Sequence, residues 1–170
     1  MNIQLLPLRK EETIAFKEEM QEAFQQGFQA HFPNEEGNNQ WQVLPDKDFY
    51  QSLNAVGAEA YEALAADGQR VGGAIIVIKA DEHRGELAFL YVKVGVQSKS
   101  IGQTIWKAIE AMHPETKIWE TCTPYFDRRN IHFYINRCGF HAVEFSTSII
   151  QTLICQSSLT RRMDCSNLKK

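Results

Sequence analysis

The run from Glu86 to Val96 carries apolar residues at both odd and even positions. A strand sends successive side chains to opposite faces, so a segment apolar on both parities reads as a strand buried on two faces and as the best candidate for the centre of a sheet. Beyond it, Ile101, Ile105, Ala108, Ile109 and Met112 recur at helical spacing and stop before Pro114. The stretch Lys117 to Thr123 then reads as another strand, so strand, helix and strand make a βαβ unit.

The rest of the chain supplies further layers. Asn2 to Leu8 reads as a short strand with Pro7 near its exit, and Phe16, Met20, Phe24 and Phe28 draw one apolar stripe along a helix from Glu11 to about Ala30. Pro33, Asn34 and Gly37 interrupt regularity, and a short helix is expected over Asp46 to Leu53. Glu59 to Ala65 and Val71 to Lys79 flank an Asp-Gly turn, which predicts a hairpin. A further helix is expected from about Arg129 to Cys138, closed by Gly139 in the left-handed conformation, with a strand over Phe140 to Phe145. Ser148 to Cys155 offers a last strand, and the Ser, Arg and Lys content from residue 156 to 170 reads as an unstructured tail. One domain over residues 1–155 is therefore expected, in keeping with the 170-residue length.

Composition narrows function. A 44% hydrophobic and 23% charged chain has a core, and its net charge of −3 argues against wrapping a nucleic-acid backbone. The amino terminus lacks the basic start and apolar run of a secretory signal, and no stretch approaches a membrane span. Cys122, Cys138, Cys155 and Cys165 form no C-x-x-C half-site. Scattered free thiols and a cytoplasmic location are expected, with no metal, no membrane and no nucleic-acid partner.

The segment Gln97-Ser98-Lys99-Ser100-Ile101-Gly102-Gln103 joins the buried strand to its helix. A helix leaves its first backbone N–H groups without intrahelical partners at the positive end of its dipole, so an anion site is expected here, with Lys99 adding charge. Ser100 and Gln103 also have the spacing of a capping box, in which the serine hydroxyl accepts from the Gln103 amide. Capping is expected to hold in the free protein and to give way to phosphate on binding.

The element order, the Gln97-Ser98-Lys99-Ser100-Ile101-Gly102 loop, and Asn130-Ile131-His132-Phe133-Tyr134 followed by Cys138-Gly139-Phe140 together resemble the GNAT superfamily of N-acetyltransferases. The loop is similar to that superfamily's Q/R-x-x-G-x-G/A pyrophosphate loop, with Ser100 where the first glycine usually stands. The likeness covers roughly Asn2 to Phe145 by order and Glu86 to Phe145 by motif. It implies an α/β (α+β) fold with a mixed, mostly antiparallel sheet, a splayed parallel strand pair, and helices on both faces. It also implies acetyl-CoA as co-substrate, with Leu90, Tyr91 and Val92 presenting strand backbone to the acetyl and pantetheine groups. Gln97, Ser98, Lys99, Ser100, Ile101, Gly102 and Gln103 would line the pyrophosphate, and Asn130 would reach the cofactor.

Tyr134 is implied as the general acid that protonates the departing thiolate, yet it stands five residues before Gly139 where the commoner arrangement has four. One residue turns a helical side chain by about 100°, which would bring Ile135 rather than Tyr134 to the thiol unless the helix end absorbs the shift. A general base is also wanted; Glu120 and Glu86 are the candidates, each more readily read as a solvated or ion-paired strand residue. Arg128 and Arg129 read equally as contacts to the adenosine phosphates or as a solvated pair, His132 and His141 as packed or surface residues, and Cys122 as a small buried residue. Trp41, Phe49, Tyr50, Tyr125 and Phe126 border the acceptor in such folds, or pack the core.

The expected activity is transfer of an acetyl group to a primary amine of a small molecule or peptide by direct attack. The alternative is a non-catalytic acyl-CoA-binding or protein-interaction domain of the same fold. A homodimer is left open.

Overall fold

The computed structural model describes residues 3–32, 42–96, 100–123, 127–145 and 157–162. Seven strands form one sheet in the order β1-β2-β3-β4-β5-β7-β6, with β1 Ile3–Pro7, β2 Ala58–Ala65, β3 Arg70–Lys79, β4 Arg84–Val92, β5 Ile118–Thr123, β6 His141–Phe145 and β7 Ser157–Arg162. Every neighbouring pair is antiparallel except β4 with β5. The segment apolar on both parities therefore sits mid-sheet, as its composition required.

Helices cover both faces. On one, Phe16 and Met20 of α1 (Thr13–His31) and Phe49 of α2 (Asp46–Leu53) bury against Ile75 and Tyr91. The two helices are tied by Lys17, which donates to the Asp46 carboxylate at 2.7 Å, and by Gln21, which donates to Asp46 and to the Leu44 carbonyl. On the other face, Ile101, Ile105, Trp106 and Ile109 of α3 (Ile101–Met112) pack with Trp119, Tyr134, Cys138 and Phe140. Trp106 meets Trp119 edge to face with ring centroids 5.1 Å apart.

Three expectations change. Ser157–Arg162 is a strand lying between β5 and β6, so part of the expected tail belongs to the sheet, paired from Ile118↔Arg162 to Thr123↔Ser157 and with β6 on its other edge. Its local sequence is polar because nothing local marks it; the pairing comes from two strands distant in the chain. The expected strand over Ser148 to Cys155 lies outside the described residues. Cys122 is disulfide-bonded rather than a free thiol, while Cys138 is free and buried. Finally, the expected single helix up to Cys138 is two pieces: α4 (Arg128–His132) and a π turn, Phe133–Arg137, before Gly139 at φ 76°.

Candidate active site

The site begins at a defect in β4. Ile75 pairs with Phe89 but the next residue, Ile76, pairs with Leu87, leaving Ala88 as an extra residue in the strand. A bulge of this kind bends a strand and breaks its alternation: Leu87 and Leu90 pack towards α3, whereas Ala88 and Phe89 both pack towards α1. The parallel register with β5 runs from Arg84↔Ile118 to Leu87↔Thr121, and among the described residues nothing in β4 past Leu87 is in register with β5. The two strands thus form a fork whose base is the Leu87–Thr121 rung, immediately before the bulge. Ala88 to Val92 edge one arm, and Cys122 and Thr123 extend the other.

Leu90, Tyr91 and Val92 lie on that β4 arm. Leu90 packs on the α3 side close to Gly102, where a Cβ would stand 3.6 Å from a Leu90 methyl and 3.2 Å from the Phe133 ring. Tyr91 turns to the α1 face, buried, and its hydroxyl donates to Glu19, which also binds Arg70 and Lys93. Burial alone would push the Glu19 carboxyl up, but the hydrogen bonds from Arg70 and Lys93 hold it below its ordinary value.

Gln97, Ser98 and Lys99 lie outside the described residues. Ser100 occupies the N-cap position of α3, with φ −113°, and its side chain does not cap the helix. The capping-box expectation is therefore corrected, along with the idea that phosphate displaces such a cap. The Gln103 side chain is engaged elsewhere, donating to the Arg137 carbonyl in the π turn at 2.8 Å. Nor does replacing the motif's glycine with serine strain the backbone, because φ is negative there. The first helical hydrogen bond is that of the Thr104 amide to the Ser100 carbonyl, so the amides of Ile101, Gly102 and Gln103 precede the helical ladder. That is a donor set suited to a pyrophosphate.

Tyr134 is 7% exposed and packs in the core on the α3 side of the sheet. The Thr121 hydroxyl, itself buried, donates to the Leu87 carbonyl at 2.9 Å. The phenol belongs to the same buried cluster as Leu87, the β4 member of that last rung. The shift of one residue against Gly139 is taken up by the π turn, which accommodates an extra residue without rotating Tyr134 off the face that meets the sheet. The Phe140 amide closes the end of the turn on the Tyr134 carbonyl at 3.0 Å. Burial pushes the phenol ionisation up, the neighbouring Cys138 adds to that rise, and the nearby Thr121 hydroxyl opposes it in part, so the group stays protonated near neutrality.

The other sequence candidates disperse. Glu120 lies on the opposite face of β5 from Thr121, about two-fifths exposed, and is ion-paired with Arg84; Glu86 stands beside it in register and is exposed. Asn130 is exposed on the first turn of α4, its amide donating to the Asp127 side chain that caps that helix. Arg128, Arg129, His132 and His141 are exposed as well. Phe49 packs the core and Tyr50 is partly exposed with Lys17 over its ring, whereas Trp41, Tyr125 and Phe126 lie outside the described residues. Among the described residues, no cluster of His, Cys, Asp and Glu is arranged to hold a metal ion, and no helix is long and apolar enough to cross a membrane.

The sequence reading missed Thr121. Its signal was available: in Trp119-Glu120-Thr121-Cys122-Thr123 the inward positions alternate, and two of the three are threonines. A buried hydroxyl requires a partner, so a strand whose inward positions are hydroxylated announces polar work on that face.

The family model of the acetyltransferase (GNAT) family matches residues 15–140. The chain belongs to the GNAT acetyltransferase family. The uncharacterized protein YrkN of Bacillus subtilis strain 168 is 43% identical to it over 142 residues, 83% of this chain and 75% of that protein. Two solved structures share the GNAT fold with it. The PaiA N-acetyltransferase of Thermoplasma acidophilum in complex with coenzyme A covers 96% of this chain and all of its own, with a TM-score of 0.65 at 15% identity. A Bacillus subtilis acetyltransferase in complex with CoA covers 95% of this chain and 98% of its own, with a TM-score of 0.61 at 18% identity. At such identities the likeness is one of fold, and in this GNAT chain the mixed sheet and the helices on both faces are as the resemblance implied.

Proposed function

We propose that this GNAT protein is an acetyl-CoA-dependent N-acetyltransferase acting on a primary amine of a small molecule or peptide by direct attack on the thioester. The reading is carried by one observation: the parallel β4–β5 ladder ends at the Leu87–Thr121 rung, with Tyr134 buried in the same cluster as Leu87. The residues on the two arms fit the co-substrate. Backbone groups of Leu90, Tyr91 and Val92 lie on the β4 edge that leaves the parallel ladder, so they can hydrogen-bond an extended pantetheine arm as a further strand would. The first-turn amides of Ile101, Gly102 and Gln103, with the preceding Gln97, Ser98, Lys99 and Ser100, bind the pyrophosphate, and Asn130 approaches from α4.

The catalytic roles follow from what each group can exchange. Strand N–H groups at the fork polarise the thioester carbonyl and stabilise the developing oxyanion. Tyr134, kept protonated by burial, gives its proton to the departing coenzyme A thiolate. Glu120 takes a proton from the amine, and Arg84, its ion-pair partner, must yield as it does so.

The test is thiol release from acetyl-CoA in the presence of pooled amines, run beside acetyl-CoA binding by calorimetry. Release above the no-amine rate with at least one amine class is expected, with Glu120→Gln lowering kcat by roughly 100-fold at unchanged acetyl-CoA affinity. Binding without release for every amine would instead support a non-catalytic acyl-CoA-binding domain.

A further inference from the structure

We infer that Gln103 is a positioning residue for the acid: together with Gly102 it makes the first turn of α3 a clamp on the π turn, and so keeps Tyr134 rather than Ile135 on the core face. The inference rests on the reading of Tyr134 as the proton donor in acetyl transfer.

The π turn is wide by one residue up to its closing bond. The Cys138 amide reaches back to the Phe133 carbonyl, and the Phe140 amide to the Tyr134 carbonyl. In an α-helix ending on a left-handed glycine the same amides would each bond one residue later, to Tyr134 and Ile135. Phe140 is fully buried and His141 begins β6, so the far end of the turn is fixed. Closing the turn to α would therefore rotate the residues before it by about 100° and exchange Tyr134 for Ile135. A π turn is rare where only local bonding decides, so contacts from outside must hold this one.

α3 supplies such contacts at both ends of the turn. At its first residue, the Phe133 ring lies against Gly102, where even a Cβ would stand 3.2 Å from it. At its last, the Gln103 side-chain amide donates at 2.8 Å to the Arg137 carbonyl, one of the terminal carbonyls a helix leaves without an internal donor. A turn closed to α would rotate Phe133 by about 100° relative to Arg137 and could not keep both contacts. The same two residues of α3 also carry backbone amides of the proposed diphosphate site, so cofactor binding and acid placement share one turn of helix.

The experiment is fluorine NMR on protein labelled with meta-fluorotyrosine, run beside thiol-release kinetics, with the Tyr134 resonance identified by its loss in Tyr134→Phe. Gln103→Met keeps the length of the side chain and removes the donor without adding charge. It is expected to shift or split the Tyr134 resonance and to lower kcat about fivefold, with KM for acetyl-CoA within about twofold of the wild type. Deleting Asn136, exposed in the turn, leaves Tyr134 four residues before the glycine, and in that background Gln103→Met is expected to move neither the resonance nor kcat. An unmoved Tyr134 resonance in Gln103→Met, or an equal effect with and without Asn136, would overturn the inference. Should the deletion variant not fold, Gln103→Lys, which keeps a donor, is expected to hold the wild-type resonance, and a shift there would overturn it equally. A resonance that moves while kcat stays at the wild-type value would leave the clamp standing and bring down the reading of Tyr134 as proton donor, an outcome distinct from the failure of Gln103.

Discussion

Tyr91 and Tyr134 are phenols that folding has removed from water, and both ionise above the ordinary value, chiefly through burial; the Glu19 charge raises Tyr91 further. The unfolded chain would lose these protons near pH 10 while the folded chain keeps them, so above that pH the unfolded state binds fewer protons and stability falls. Each fully protected phenol contributes a slope of up to about 1.4 kcal/mol per pH unit there. Urea unfolding at pH 9, 10 and 11 is expected to show this decline, with a shallower slope in Tyr91→Phe; a free energy flat across that range would contradict it. The identity of both tyrosines was visible in the sequence. Their environments were not, because burial is set by residues far apart in the chain: Tyr91 is closed in by Phe16 of α1, with ring centroids 5.2 Å apart.

At the scale of elements, β4 and β5 are tightly packed where Trp119 lies against Gly85, its partner in register. A Cβ built on Gly85 would stand 2.5 Å from the indole ring. Gly85→Ala must therefore push the ring or the strand aside, at a cost of about 1–3 kcal/mol. Because this contact lies in the paired half of β4 and β5, away from the open arms, thermal unfolding should report a lower Tm while acetyl-CoA affinity stays near that of the wild type; an unchanged Tm would show the close approach to be wrong. Elements of strong period were legible at this scale. Helices over Asp46–Leu53 and Ile101–Met112 have the bounds their patterns predict. The helix towards Gly139 was only half legible, since a π turn adds one residue to an otherwise helical pattern, and local periodicity cannot say which side of that residue stays on the core face.

The whole molecule depends on a strand that local pattern gives no reason to expect. β7 lies between β5 and β6, so removing residues 157–170 would take away the neighbour of both at once. The truncated chain should expose the β5 edge and aggregate, as seen by size-exclusion chromatography and circular dichroism; a monomer with the wild-type Tm would refute this. The family likeness, the βαβ unit and the amide-bearing start of α3 could all be read from residues close together in the chain, because period, turn chemistry and helix ends are decided over a few residues. Three features required the tertiary structure: the fork opening past Leu87 and Thr121, Tyr134 buried in the same cluster as Leu87, and β7 inserted into the sheet. Each depends on pairing between segments separated by long stretches of chain, and such pairing is settled by which surfaces the folded molecule can bury together.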